Sequence, residues 1–103
     1  MKQYLWEILV PVSFNNGTQI EVEYHQMWDD KVLKLVTGMT IMGVSKGTWK
    51  SFKNGKRESM IPVRIMCTTE IIKKIVKITA KHYGQQAIMY CRISDRVIIQ
   101  EFE

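Results

Sequence analysis

The sequence contains few of the residues that build metal centres. Its 103 residues include two histidines and two cysteines, Cys67 and Cys91, with no Cys-x-x-Cys and no cysteine–histidine cluster. This composition argues against a zinc site, and we expect no metal and no cofactor. Both cysteines fall in strand-like segments, which predicts two buried thiols.

Long apolar runs are also missing. No run approaches the roughly 20 residues that a membrane span needs. The opening segment, residues 1–7, carries Glu7 inside its apolar stretch and has no small-residue cleavage site, unlike a signal peptide. We therefore expect a cytoplasmic protein without a membrane partner, built as one domain over residues 1–103.

Acidic residues are fewer than basic ones, 10 against 15, which gives a net charge of +5. An anionic partner would suit this charge. However, four lysines lie on the outer face of one predicted helix, where solvation explains them: Lys73, Lys74, Lys77 and Lys81. The strand that would carry stacking aromatics in an RNA-recognition motif, 58–66, has none, so we predict no nucleic-acid binding.

Hydrophobic periodicity divides the chain into strands and helices. Strands are predicted at 4–14, 39–51, 58–67, 87–93 and 97–102. The first helix is predicted to begin after Asn16 or Thr18 and to run to about Val36, with Gly38 ending it. The second is predicted between a cap formed by Thr68 and Thr69 and a Gly84 cap. Pro62 predicts a bulge or an unpaired position in its strand.

This order of elements predicts an α+β, ferredoxin-like βαββαβ sandwich, with two helices on one face of an antiparallel sheet. The opposite sheet face is predicted to be apolar: Leu5, Leu9, Met42, Val44, Met60, Met66, Ile88 and Tyr90. Such a face is too apolar to remain in water. We expect a homotrimer with the sheets facing inward, or otherwise a homodimer.

A hairpin over residues 47–58, with its turn at Asn54-Gly55, is the one stretch that suggests binding. Trp49, Glu58 and Tyr90 could meet where subunits join and bind a cationic ligand. Alternatively, Trp49 fills an interface and Glu58 pairs with Arg57 or Arg64. Lys31, inside the apolar stripe of the first helix, either points outward or reaches into a pocket.

Five segments together resemble the phage S-adenosylmethionine-degrading enzymes, which are lyases. The resemblance runs from about Tyr4 to Ser94 and depends on the order and spacing of these segments. They are Leu9-Val10-Pro11-Val12-Ser13-Phe14; His25-Gln26-Met27; Gly47-Thr48-Trp49 followed by Glu58; Val63-Arg64-Ile65-Met66-Cys67; and Gln86-Ala87-Ile88-Met89-Tyr90.

The resemblance implies a trimer of ferredoxin-like, PII-like subunits with active sites between them. The implied reaction is cleavage of S-adenosylmethionine to methylthioadenosine and homoserine lactone. The family's glutamate falls on Glu58, and its tyrosine falls on Trp49, so these are the expected catalytic residues; Tyr90 and Lys31 are the expected substrate contacts. The alternative is a non-catalytic, PII-like oligomeric module that binds or senses a ligand.

Overall fold

The computed structural model describes residues 1–48 and 57–103. Its elements, in chain order, are β1 (Tyr4–Pro11), α1 (Val22–Leu33), β2 (Thr40–Ile41), β3 (Ser45–Thr48), β4 (Arg57–Cys67), α2 (Thr69–Tyr83) and β5 (Tyr90–Ser94). Trp49 and the predicted Asn54-Gly55 turn lie outside the described residues. In the described part of the chain, neither helix is long and apolar enough to cross a bilayer.

The five strands form one antiparallel sheet in the order β2-β4-β1-β5. The short strands β2 and β3 follow one another along the same edge of β4. Both helices lie on one side of the sheet, because their buried residues and those of β1 and β4 form one core. The predicted α+β, ferredoxin-like class is therefore confirmed.

The core comes from alternate residues of the central strands. On β1 the even positions Trp6, Ile8 and Val10 are buried, as their period-two pattern predicted. On β4 the odd positions face the same way, since Ile8 pairs with Val63 and Trp6 with Ile65. The helices cover them with Trp28, Val32, Ile72, Ile75, Thr79 and Tyr83.

Helix α2 begins and ends as its sequence predicted. The Thr68 hydroxyl accepts a hydrogen bond from the Ile71 N–H at 3.3 Å, which satisfies one of the free donors of the first turn. At the other end Gly84 has φ +63°, a left-handed conformation that glycine adopts without strain. The cap predictions are confirmed for Thr68 and Gly84, whereas Thr69 is the first residue of the helix and not a cap.

Helix α1 differs from its prediction at both ends. Its N-cap is Glu21, which makes no side-chain cap, and not Asn16 or Thr18. The Asn16 side chain instead accepts from the Thr18 N–H, 2.9 Å away, within a tight turn. The helix ends at Leu33, before Val36 and Gly38, because the Leu35 N–H turns back to the Val32 carbonyl at 2.8 Å.

The strand boundaries also needed correction. The first strand ends at Pro11, and the predicted 39–51 strand divides into β2 and β3. The pairing shifts by one residue between them, from Ile41–Val63 to Ser45–Met60, and this irregularity lies opposite Pro62, as expected. Residues 97–102 form no strand, since the described part of this chain offers them no strand partner.

The sheet face away from the helices, which we call the open face, contains most of the predicted apolar residues. Leu5 pairs with Met66 there, Leu9 with Pro62 and Pro11 with Met60. At its centre the Arg64 Nε donates to the Glu7 Oε1 at 3.2 Å. The prediction was wrong for Tyr90 and Ile88, which lie on the helix side. Every residue from Ala87 to Cys91 is apolar, so this strand's pattern did not fix which residues face the helices.

The two cysteines are not equivalent, contrary to the expectation of two buried thiols. Cys67 is buried at the end of β4, and burial raises its pKa to about 11. Cys91, on β5, pairs with Glu7 of β1. It therefore lies on the open face, where it is exposed.

Candidate functional site

An open groove of about 690 Å³ lies where β1 ends and β4 begins. Its walls are the chain from Pro11 to Gly17, the first residues of β4 and Gln85. Glu58 contributes the one carboxylate among the described lining residues. We call this the β1–β4 groove.

A tight turn after β1 forms one wall of the groove. The Phe14 N–H donates to the Thr18 carbonyl at 2.8 Å, and Ser13 pairs with Gln19. Gly17 closes the turn at φ +87°, which a residue with a side chain rarely adopts.

Side-chain amides attach this turn to the end of α2. The Asn15 Nδ2 donates to the Gly84 carbonyl at 3.1 Å, and the Gln85 Nε2 donates to the Asn15 Oδ1 at 3.1 Å. Sequence reasoning missed these two amides; an asparagine in a predicted turn and a glutamine just after a helix cap were the available signals. The groove wall is therefore held by both the sheet and the helix layer.

Glu58 stands at the start of β4, next to the edge strand. It pairs with Gly47 of β3, and its side chain is exposed. Arg64, one of the two partners considered for Glu58, binds Glu7 instead.

Tyr90 and Lys31 lie elsewhere in the chain. Tyr90 begins β5 opposite Ile8, with its ring centroid 6.2 Å from that of Trp6 on the helix side. Glu58 lies on the other side of β1 and beyond its carboxyl end, where the Val12 N–H donates to the carbonyl of the neighbouring Ser59. Lys31 is on α1, with its Nζ 3.1 Å from the His82 Nδ1. One copy of the chain therefore does not bring these three residues together, and Trp49 is outside the described residues.

A reciprocal pair of contacts joins the two helices near the groove. The Tyr24 hydroxyl donates to the His82 carbonyl, and the His82 Nε2 donates to the Tyr24 carbonyl at 2.8 Å. Their rings also stack, with centroids 4.1 Å apart. Because the Lys31 ammonium can only donate, the His82 Nδ1 must accept, which places the histidine proton on Nε2.

The second histidine belongs to the same helix interface. The His25 Nδ1 lies 2.7 Å from the Tyr83 hydroxyl. Burial lowers the pKa of His25, partly countered by Asp29, and burial raises the pKa of Tyr83 further above its usual value. A hydroxyl that stays protonated donates to a neutral ring, so this pair is a structural contact between helices.

Metal ligands do not cluster in the described part of the chain. No group of three or more histidine, cysteine, aspartate or glutamate side chains is placed to hold an ion there.

Comparison with known proteins shows the fold. No family model and no curated protein matches this sequence. Among solved structures, CutA1 from the psychrotrophic bacterium Shewanella sp. SIB1 is 14% identical, with a TM-score of 0.66 over 98% of this chain and 85% of that one. The periplasmic divalent cation tolerance protein CutA from Archaeoglobus fulgidus is 11% identical, with a TM-score of 0.64 over 98% and 88%.

A phage S-adenosylmethionine lyase in complex with S-methyl-5'-thioadenosine is also similar. It is 12% identical, with a TM-score of 0.63 over 85% of this chain and 78% of that one. All three identities are low, so these likenesses establish the shared fold and leave the activity to be argued from the residues.

Proposed function

We propose that this chain is an S-adenosylmethionine lyase that acts as a single-domain homotrimer in the cytoplasm. The observation that carries the proposal is the Glu58 carboxylate on an open groove of about 690 Å³, in a fold shared with a phage S-adenosylmethionine lyase. Small-molecule sites commonly occupy about 300–1,000 Å³, so the groove can admit a substrate of this size.

The proposed reaction needs little chemistry from the protein. An oxygen of the substrate's own carboxylate forms a bond to its γ-carbon while the bond from that carbon to sulfur breaks. The bonding pair moves to sulfur, so the sulfonium leaves as neutral methylthioadenosine and homoserine lactone remains. No proton is transferred, and the protein contributes by folding the substrate and excluding water.

Charge decides which cation Glu58 should hold. The sulfonium loses its positive charge in the transition state, so a carboxylate against it would stabilise the substrate more than the transition state. The ammonium of the substrate keeps its charge throughout the reaction. We therefore assign Glu58 to the ammonium, where it fixes the position of the attacking carboxylate.

The other proposed contacts require neighbouring copies, because one copy keeps them apart. Tyr90, 36% exposed on the edge strand β5, is proposed to contact the adenine or the sulfonium of a substrate held by another subunit. Trp49, in the family's tyrosine position, is proposed to share that task. Lys31 is proposed to exchange its His82 contact for an anionic group of the substrate.

The matched pair Glu58→Gln and Glu70→Gln tests the proposal. Both replace an exposed carboxylate with an amide, but Glu70 lies in the first turn of α2 and outside the groove. A carboxylate contact to a buried cation is worth about 1.5–3 kcal/mol, so Glu58→Gln should lower kcat/KM about ten- to two-hundredfold. Glu70→Gln should retain full activity.

Methylthioadenosine production from S-adenosylmethionine, followed by liquid chromatography, is the measurement. Equal kcat/KM in the two variants removes Glu58 from the mechanism.

A non-catalytic ligand-binding module is the second candidate. One observation favours it: a single copy of the chain keeps Glu58, Tyr90 and Lys31 apart, so its described residues assemble no catalytic group around the groove. A binding module should shift its melting temperature with a ligand that it leaves chemically unchanged.

A further inference from the structure

His82 is a buried base in the last turn of α2, and its side chain is only 6% exposed. Its Nδ1 accepts a hydrogen bond from the Lys31 ammonium at 3.1 Å, and its Nε2 donates to the Tyr24 carbonyl at 2.8 Å. One ring nitrogen therefore serves as an acceptor and the other as a donor. Only a neutral histidine ring supplies this combination, so the packing of α1 against α2 uses the unprotonated state of His82.

The surroundings of His82 would not compensate a positive charge on its ring. Among the described residues, no carboxylate pairs with it. Asp29, a carboxylate of the same helix interface, acts instead on His25 and Tyr83. The buried residues of the described sheet and the turn at 12–19 are uncharged. The titratable groups that face His82 come from the two helices: Tyr24, His25 and Lys31 of α1, and Tyr83 of α2.

The same turn of α2 holds one wall of the β1–β4 groove. The Tyr24 hydroxyl donates to the His82 carbonyl, which fixes this turn against α1. Two residues later the Gly84 carbonyl accepts from the Asn15 Nδ2, and the Gln85 Nε2 donates to the Asn15 Oδ1, both at 3.1 Å. Asn15 and Gln85 line the groove. The position of this wall therefore depends on how His82 binds α1.

We propose that His82 is a positioning residue for the groove, and that protonation of its ring loosens the groove wall. A proton on Nδ1 removes the acceptor that Lys31 uses and places two cations 3.1 Å apart. Lys31 is exposed, so its long side chain can turn to water, whereas the buried Nδ1–H of His82 is left without a partner. This role rests on the proposed function only in taking the groove as the ligand site.

The wall should be held at neutral pH and released in mild acid. A histidine in an unfolded chain takes up its proton near pH 6.5. His25 contributes in the same direction, because its Nδ1 accepts from the Tyr83 hydroxyl and burial lowers its pKa. Below about pH 6.5 the unfolded state therefore binds protons that the folded state excludes, and the free energy of unfolding should fall as the pH drops.

Nuclear magnetic resonance of the assembled, isotope-labelled protein between about pH 5 and about pH 7.5 tests the coupling. The ring nitrogens of His82 report its proton, and the side-chain amide of Asn15 reports the groove wall. In the parent protein the Asn15 signal should shift with the same midpoint as the His82 ring. An Asn15 signal that does not follow the titration of His82 overturns the proposal.

Two glutamine variants identify the histidine that controls the wall. His82→Gln keeps one donor and one acceptor but cannot titrate, so its Asn15 signal should stay constant over the same pH range. His25→Gln is the matched control, because it removes the other titrating ring of the interface and should keep the response of Asn15. Circular dichroism checks that both variants fold. A response like that of the parent in His82→Gln, or its loss in His25→Gln, overturns the proposal.

Lys31→Met tests the same contact without changing the buried ring. Without the facing ammonium, His82 should take up its proton at a pH higher by about 0.5 units than in the parent protein. Lys34→Met, which removes another exposed ammonium at the end of α1, is the matched control and should leave the midpoint unchanged. Equal midpoints in the two lysine variants overturn the proposal.

These titrations contain no substrate, so their outcome is separate from that of the lyase assay. Coupling of Asn15 to His82 in a protein that forms no methylthioadenosine supports the role of His82 and contradicts the lyase activity. Lyase activity in a protein whose Asn15 signal ignores His82 does the reverse, because it supports the proposed function and overturns the positioning role.

Discussion

Replacing Thr79 with valine should destabilise the helix layer by an amount that the structure sets. Thr79 is fully buried, and its hydroxyl accepts the Trp28 Nε1–H at 2.9 Å while donating to the Ile75 carbonyl at 2.6 Å. Valine keeps the shape of threonine but removes both contacts. The Trp28 ring is 1% exposed, so its N–H has no access to water as a replacement partner.

The cost follows from the unsatisfied donor. A buried donor without a partner costs about 1–3 kcal/mol, so we expect Thr79→Val to lower the free energy of unfolding by about 2 kcal/mol. For a domain of this size that lowers the melting temperature by about 8–16 °C. The Ile75 carbonyl retains its helical hydrogen bond, so the loss of its contact with the hydroxyl adds little to this cost in free energy.

Thr79→Ser is the matched control. Serine keeps the hydroxyl and both hydrogen bonds but loses one methyl group, which costs about 1 kcal/mol. Thermal and urea unfolding, at one fixed protein concentration, should therefore rank the parent protein above the serine variant, and the serine variant above the valine variant. A valine variant as stable as the serine variant would contradict the assignment of this hydrogen bond.

Three further predictions concern the open face, the helix interface and the buried thiol. Met66→Lys should convert the proposed trimer to monomer in sedimentation, because a buried unpaired charge costs several kcal/mol; an unchanged mass argues against assembly through the open face. Tyr83→Phe should cost about 1 kcal/mol near neutral pH, since it loses the His25 contact. Above about pH 10 the free energy of unfolding of the parent should fall faster with pH than that of this variant. The raised pKa keeps Tyr83 protonated in the folded state while the unfolded state ionises. Parallel curves of stability against pH for the two proteins would contradict this role of Tyr83. Cys67 should resist iodoacetamide at pH 8 until urea unfolds the chain, as peptide mass mapping will show, and rapid native labelling contradicts its burial.

The fold could be predicted wherever polar and apolar residues alternate clearly. The even positions of β1 and the odd positions of β4 identified their own buried faces, and Thr68 and Gly84 marked the ends of α2. The β5 region could not be predicted in the same way. Ala87 to Cys91 are all apolar, so only pairing with β1 shows that Tyr90 faces the helices and Cys91 the open face.

The site was less predictable than the fold, because its parts are distant in sequence. Glu58 stood out beside a predicted hairpin, and the structure places it on a groove. The amide contacts of Asn15 with Gly84 and Gln85 span about seventy residues and follow from tertiary packing that no local pattern encodes. The same holds for Lys31, whose contact with His82 depends on how the helices pack.

The proposed lyase activity is tested most directly by the products formed from S-adenosylmethionine in water enriched in oxygen-18. Intramolecular attack predicts methylthioadenosine and homoserine lactone in equal amounts, with no heavy oxygen in the lactone at early times. Attack by water on the γ-carbon predicts homoserine with the label in its hydroxyl group, which contradicts the mechanism. Unchanged S-adenosylmethionine contradicts the lyase activity itself and leaves the ligand-binding module as the function to test.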